Sequence, residues 1–204
     1  MSTSPIITIS REFGSGGRRI GELVAERLGI PFYDRALVQM AAQDTGFSEE
    51  FVDQAEHRIT SSFLFNLAVT GFYAERTTGA DTLAPQDTIY FAQSKVIREL
   101  AGQGPCVIVG RCADYVLREN PHCLNVFVYA DLDSKLRRAV GEYGVEEKKA
   151  SRILADRDRS RAIYYNHYTE RKWGSRSNYQ LMLHSGALGL SECADLIVQA
   201  AGRE

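Results

Sequence analysis

The stretch Pro5-Ile6-Ile7-Thr8-Ile9-Ser10-Arg11-Glu12-Phe13-Gly14-Ser15-Gly16-Gly17-Arg18-Arg19 decides how this 204-residue chain is read. Its first six residues are a short β-branched run, which suits a strand buried on both faces. Beyond the glycines, Ile20, Leu23, Val24, Arg27 and Leu28 recur at helical spacing until Gly29 and Pro31 supply a stop. A strand, a glycine-rich turn and a helix therefore open the protein. In that setting the backbone N–H groups of Gly14, Ser15, Gly16 and Gly17 can converge on an anion at the positive end of the helix dipole. The competing reading is an ordinary glycine turn with solvent-facing arginines.

A phosphate loop of the Walker A kind requires Gly-x-x-x-x-Gly-Lys-Ser/Thr, and here both the leading glycine and the lysine are missing. Registered from the strand end without gaps, Gly17 falls where the lysine belongs. Sliding by one places Gly17-Arg18 on the Gly-Lys pair. In either register an arginine must supply the cation, so Arg18 and Arg19 are the candidates, with planar, bidentate contacts to phosphate oxygens in place of a lysine point charge. No lysine is close in sequence: the chain has 19 Arg and only 5 Lys, the first being Lys95.

Outward from this unit, Ile30-Pro31-Phe32-Tyr33 leads to Asp34, a plausible N-cap for a helix carrying Leu37, Met40 and Ala41. Residues 44–100 show apolar positions at helical intervals and read as a helical insertion in one domain spanning 1–204. Residues 77–88, with Gly79 and Pro85, are the best candidate for a mobile loop. Strand-like runs follow at 106–110 and 124–129. Helices are expected from Asp133 and from Val145, then a strand at 179–183, then a helix with Ala194, Ile197, Val198 and Ala201 on one stripe. Short buried strands alternating with helices predict an α/β fold with a central parallel sheet of about five strands and helices on both faces.

The composition excludes several classes. With 24 Lys+Arg against 26 Asp+Glu and 44% hydrophobic residues, the chain suits one compact core and lacks the basic excess of a nucleic-acid-binding domain. Cys106, Cys112, Cys123 and Cys193 have neither CxxC spacing nor clustered histidines, so buried free thiols in a reducing compartment are expected. Neither a leader pattern nor an apolar run of membrane-spanning length is present, which predicts a cytoplasmic protein without membrane contact. His57, His122, His167 and His184 show no ligand spacing, and Ser15 and Ser185 lack a nucleophile-elbow setting.

Charge is nonetheless unevenly spread. Residues 152–176 hold seven cations (Arg152, Arg157, Arg159, Arg161, Arg171, Lys172, Arg176) against three acids (Asp156, Asp158, Glu170), a local +4. Phosphoryl transfer requires neutralisation of charge on the equatorial oxygens, in-line positioning and exclusion of water, and arginines on a closing segment can supply all three. A solvated helix of mixed charge is the bland alternative. Tyr164, Tyr165, Tyr168 and Trp173 suit packing of that helix onto a sheet better than stacking on a base.

Taken in order, ITISREFGSGGRRIG, IPFYDR, VIVGRCADYVL, DRDRSRAIYYNHYTERKWG and YQLMLHSGALGLSECADLIV resemble the cytidylate kinase-like family, a branch of the P-loop nucleoside monophosphate kinases. The resemblance implies a three-layer P-loop kinase-like fold, ATP with Mg²⁺ on the glycine loop (Gly14, Ser15, Gly16, Gly17, Arg18, Arg19) and an arginine-bearing lid at 152–176. It also implies an acceptor site at Asp34, Arg111, Asp158 and Arg161. Arg18, Arg19, Arg157 and Arg161 would be catalytic, with Arg159 also near the transferring group. Val109 and Cys112 stand where acids flank the matching arginine in cytidylate kinases. The expected activity is transfer of the ATP γ-phosphoryl group to a nucleoside monophosphate, CMP or dCMP first. The alternatives are a kinase of another small metabolite and a nucleotide-binding regulatory protein that has lost transfer. The metal ligands and the oligomeric state are left open by the sequence.

Overall fold

The computed structural model of the chain describes residues 6–58 and 84–202. Strand β1 (Ile6–Arg11) passes through the glycine turn into α1 (Gly17–Leu28), then β2 (Phe32–Tyr33), α2 (Arg35–Thr45) and α3 (Glu49–Arg58). After residue 83 come α4 (Pro85–Gln103), β3 (Cys106–Val109), the short α5 (Ala113–Val116), β4 (Cys123–Tyr129), α6 (Leu132–Gly141) and the long α7 (Glu147–Thr169). A 3-10 turn (Arg176–Asn178), β5 (Leu181–His184), the short α8 (Ser185–Leu188) and α9 (Leu190–Ala201) complete the chain. The five strands form one parallel sheet in the order β2-β3-β1-β4-β5.

Period-two alternation along the strands sorts the side chains onto two faces. Ile7, Ile9, Val107, Val109, Val126 and Val128 form one core with Ile20 and Val24 of α1 and with Cys193, Ala194 and Ile197 of α9. Ile6, Cys106 and Ile108 face the other way, against Leu37 of α2, Val96, Ile97 and Leu100 of α4 and Val116 of α5. Helices thus cover both faces of the sheet, giving the three layers of a P-loop kinase-like fold. Where the second face meets a polar strand position, Thr8 Oγ1 donates to Asn125 Oδ1 at 2.6 Å, so the buried oxygens are satisfied.

Several boundaries move by a few residues from the sequence reading. Residues 85–88, expected in a loop, form the first turn of α4, because Pro85 needs no N–H partner at that position; residues 77–83 lie outside the described part. Asp131, not Asp133, caps α6, its side chain accepting from Ser134 N at 2.8 Å. The helix expected from Val145 starts at Glu147, and the last strand begins at Leu181. Asp34 precedes α2 without capping it through its side chain. Within 44–100, the described residues other than 46–48 and 84 lie in the end of α2 and in α3 and α4.

Gly21 marks the tightest helix-to-sheet approach. A Cβ there would lie 2.9 Å from Phe32 and 3.2 Å from both Ile9 and Val109. Gly21→Val is therefore expected to overpack this layer and cost about 1–3 kcal/mol, read as a lowered urea midpoint with an unchanged denaturant slope.

Candidate functional site

All five strands end at one edge of the sheet, and the glycine loop sits there between the end of β1 and α1. Gly14 and Gly16 adopt positive φ (81° and 76°), conformations that a side chain would strain. The turn leaves the amides of Gly16, Gly17, Arg18 and Arg19 without acceptors among the described residues, as expected at a helix start. These four N–H groups form an anion-binding concavity. Ser15 is not part of it: the residue is buried, its amide and hydroxyl both bond to the Glu12 carbonyl, and its own carbonyl accepts from Ser185 Oγ at 2.5 Å.

The loop is held from outside by charged groups. Phe13 N donates to Asp158 Oδ1 at 2.6 Å, and Arg138 Nη1 donates to the Gly14 carbonyl at 2.5 Å. Lys135 Nζ lies 3.0 Å from Glu12 Oε2 and 3.1 Å from Asp158 Oδ2, with its side chain 13% exposed. Burial pushes the Lys135 ammonium down, but bonding to Glu12 and Asp158 more than offsets it, so its pKa is raised and it stays charged. A lysine remote in sequence is thus beside the loop in space, although it is committed to two carboxylates.

An open cleft of about 380 Å³ lies along the loop, lined by Gly14, Gly16 and Gly17, by Arg11, Arg18, Arg35, Arg111, Arg157 and Arg161, and by Glu12, Asp34 and Asp53. Of the residues expected from sequence, Arg18, Arg157, Arg161, Asp34 and Arg111 meet here. Arg18 is drawn to the rim by Asp34, at 3.3 Å, and by Glu22, at 3.2 Å. Arg161 Nη1 donates to the Arg11 carbonyl at 3.1 Å, and both Arg157 and Arg161 lie over the Phe13 ring. Three further residues have other surroundings. Arg19 is outside the cleft, paired with Glu22 at 3.1 Å. Arg159 is exposed on the outer face of α7. Asp158, expected at the acceptor, is engaged with Phe13 N and Lys135 and lies 3.8 Å from Arg161 Nη1.

Arg111 follows Gly110 in a strained turn: Gly110, Arg111 and Cys112 all have positive φ (77°, 56° and 54°). Its side chain is 6% exposed, and Nη2 lies 3.0 Å from Asp53 Oδ1 of α3. Beneath it, Asp114 accepts from Tyr165 Oη at 2.6 Å and from Ser10 Oγ at 3.4 Å. Burial raises the Asp114 pKa above the ordinary aspartate range, against the opposing bond from Tyr165. The sequence reading missed Arg11, Glu12, Lys135 and Arg138 as parts of the site. Arg11 alone had a visible signal, a cation at the first glycine of the gapless Walker register.

No three His, Cys, Asp or Glu side chains form a dedicated metal cage among the described residues. Mg²⁺ held mainly by substrate phosphates needs only one or two carboxylates, and Glu12, Asp34 and Asp53 line the cleft. On the far side of the loop, a groove of about 520 Å³ is lined by Arg137, Arg138 and Glu142 of α6 and its end, and by Ser185, Gly186 and Gly189 near α8. Arg138 links the groove to the loop through Gly14.

A profile described as the cytidylate kinase-like family matches residues 6–187. Among solved structures, an uncharacterized protein from Eubacterium ventriosum is 28% identical, with 98% of this chain and 99% of that chain covered and a TM-score of 0.70. TT1252 from Thermus thermophilus is 20% identical, with 98% and 99% covered and a TM-score of 0.55. Shikimate kinase from Acinetobacter baumannii, solved in complex with shikimate, is 16% identical, with 98% and 93% covered and a TM-score of 0.53. The last two likenesses show the fold alone. None of the curated proteins compared with the chain matches it.

Two measurements probe this arrangement. Lys135→Met removes the cation that Glu12 and Asp158 share, and unfolding in urea is expected to show a loss of about 1–3 kcal/mol, reduced from the fully buried case by partial exposure. For Asp114, the raised pKa means the folded state holds the proton longer than the unfolded state. Its contribution to stability therefore falls as pH rises from about 4 through the raised value. Comparing urea midpoints of wild type and Asp114→Asn across that range should show the wild type losing ground as pH rises.

Proposed function

The chain belongs to the cytidylate kinase-like family, and from that premise we propose a phosphotransferase that moves the γ-phosphoryl group of ATP to a nucleoside monophosphate, CMP or dCMP first. The observation that carries the reading is the convergence of six arginines on one cleft beside four loop amides that have no acceptor among the described residues. Such a set neutralises two phosphorylated substrates at once.

The donor phosphates would lie on the amides of residues 16–19, with the nucleoside in the groove by Arg137 and Ser185. The acceptor phosphate would face Arg111 and Arg161. In the reaction an acceptor phosphate oxygen bonds to the γ-phosphorus as the bridging β–γ P–O bond breaks and ADP leaves; a fully ionised acceptor phosphate has no proton to lose. Arg161 and Arg157, carried by α7, flank the transferring group and offset charge on its equatorial oxygens. Mg²⁺ would enter bound to the triphosphate, where it neutralises phosphate charge, and no protein ligand is assigned to it. A reducing, cytoplasmic setting belongs to the proposal, supported by the four free cysteines; burial pushes the Cys106 thiol up to about 11 and the Cys123 thiol to about 12. No helix among the described residues is long and apolar enough to cross a membrane.

A kinase of another small anionic metabolite is the second reading. It is favoured by Val109 and Cys112 beside Arg111 and by the Arg111–Asp53 pair, which reshape the acceptor end of the cleft. Incubation of the protein with ATP, Mg²⁺ and a panel of monophosphates and other anionic metabolites tests both. Product from CMP or dCMP with kcat/KM reduced about 100-fold or more in Arg161→Ala is expected. Product from a different metabolite alone selects the second reading. Absence of product from every acceptor, in protein that binds ATP, overturns both and leaves a nucleotide-binding regulator.

A further inference from the structure

In the gapless Walker register, Arg11 occupies the position of the first glycine and Gly17 that of the lysine. The structure shows that these two departures are one. A Cβ added at Gly17 would lie 2.6 Å from Arg11 Cβ and 3.1 Å from Arg11 Cγ. The stem of Arg11 therefore fills the space from which a lysine at 17 would start. Neither large side chain is compatible with the other, and glycine at one position is the condition for a cation at the other.

The far end of Arg11 is equally constrained. A Cβ at Gly110 would come 3.0 Å from the Arg11 Cζ and closer still to Nη1, so Gly110 leaves room for the guanidinium to cross to the end of β3. The Arg11 backbone is fixed by Arg161, which donates to its carbonyl. Its side chain makes no hydrogen bond or ion pair with any described residue, and it lines the cleft together with Gly14, Gly16 and Gly17. A guanidinium with five donors and no acceptor among the described residues, placed beside Gly110 in the cleft that the glycine loop also lines, is set up for an anionic ligand.

We propose that Arg11 is the cation that grips the donor's β- and γ-phosphates, so that the pair Arg11/Gly17 performs from the strand end what Gly/Lys performs from the helix start. This rests on the phosphotransferase reading above and names the group within it that neither Arg18, drawn to Asp34, nor Arg19, turned outward, supplies.

The test is calorimetry with MgATP on wild type, Arg11→Gln, Arg11→Gly and the double variant Arg11→Gly/Gly17→Lys, each checked for folding by its thermal midpoint and circular dichroism. Arg11→Gln preserves most of the side-chain volume and is expected to weaken MgATP binding about 10- to 100-fold. The double variant, which rebuilds the Gly/Lys loop, should bind markedly tighter than Arg11→Gly alone. Unchanged affinity in folded Arg11→Gln, or a folded double variant no tighter than Arg11→Gly, overturns the proposal while leaving transfer by the wild type to stand or fall on its own assay. A wild type that binds MgATP in an Arg11-dependent way but transfers to no acceptor supports Arg11 and removes the kinase reading. A folded wild type that does not bind MgATP overturns both.

Discussion

The parallel pairing of β1 with β3 on one side and β4 on the other is the constraint from which the site follows. Ile9 stands level with Val109 and Val126. Gly110 N donates to the Ile9 carbonyl and Glu12 N to the Val128 carbonyl, both at 3.0 Å. This register brings the glycine loop, the Gly110-Arg111-Cys112 turn and the end of β4 to the same level. Slipping either ladder by one residue would turn every inward side chain of β1 to the opposite face. With Ile7 and Ile9 fully buried, the core itself therefore sets where the loop stands.

The loop's own residues contribute little to holding it. Its glycines free the amides but make few side-chain contacts, and the grip comes from α6, α7 and α8. Asp158 takes the Phe13 amide, Lys135 bridges Glu12 to Asp158, Arg138 donates to Gly14, and Ser185 donates to Ser15. On α7, Asp158, Arg161 and Tyr165 succeed one another at three- and four-residue intervals and face inward, whereas Arg152 and Arg159 project to solvent. The arginine-rich stretch is thus two surfaces of one helix with different tasks. Tyr165 also fixes Asp114 beneath the Arg111 turn, so α7 braces both the donor loop and the acceptor-side turn.

Legibility in the sequence tracked the range of the interactions. β-branched runs and helical spacing are local signals, and they were sufficient for the strand count, the parallel sheet and the two helical layers. Boundaries shifted where a single capping group decides them, as with Asp131 and Pro85. Loop position and family motifs singled out Gly14, Gly16, Gly17, Arg111 and Arg161, which line one cleft. Lys135 and Arg138 were not, since they sit more than 115 residues from the loop that they contact and nothing near them distinguishes a site residue from a helix-surface cation. The family motif marked Asp158 for the acceptor, but it could not show that Asp158 also accepts from the backbone amide of Phe13.

By itself the sequence determined the fold class, the location of an anion-binding turn and the replacement of its lysine, because each follows from residue type and local spacing. Only the tertiary structure decided which cation takes the lysine's place. Arg18, Arg19 and Arg11 are equivalent as charges along the chain. Helix geometry turns Arg19 out to Glu22, an ion pair draws Arg18 to Asp34, and the missing side chain at Gly17 leaves its space to Arg11. That distinction depends on excluded volume between residues six apart across a tight turn, a quantity that residue order does not contain.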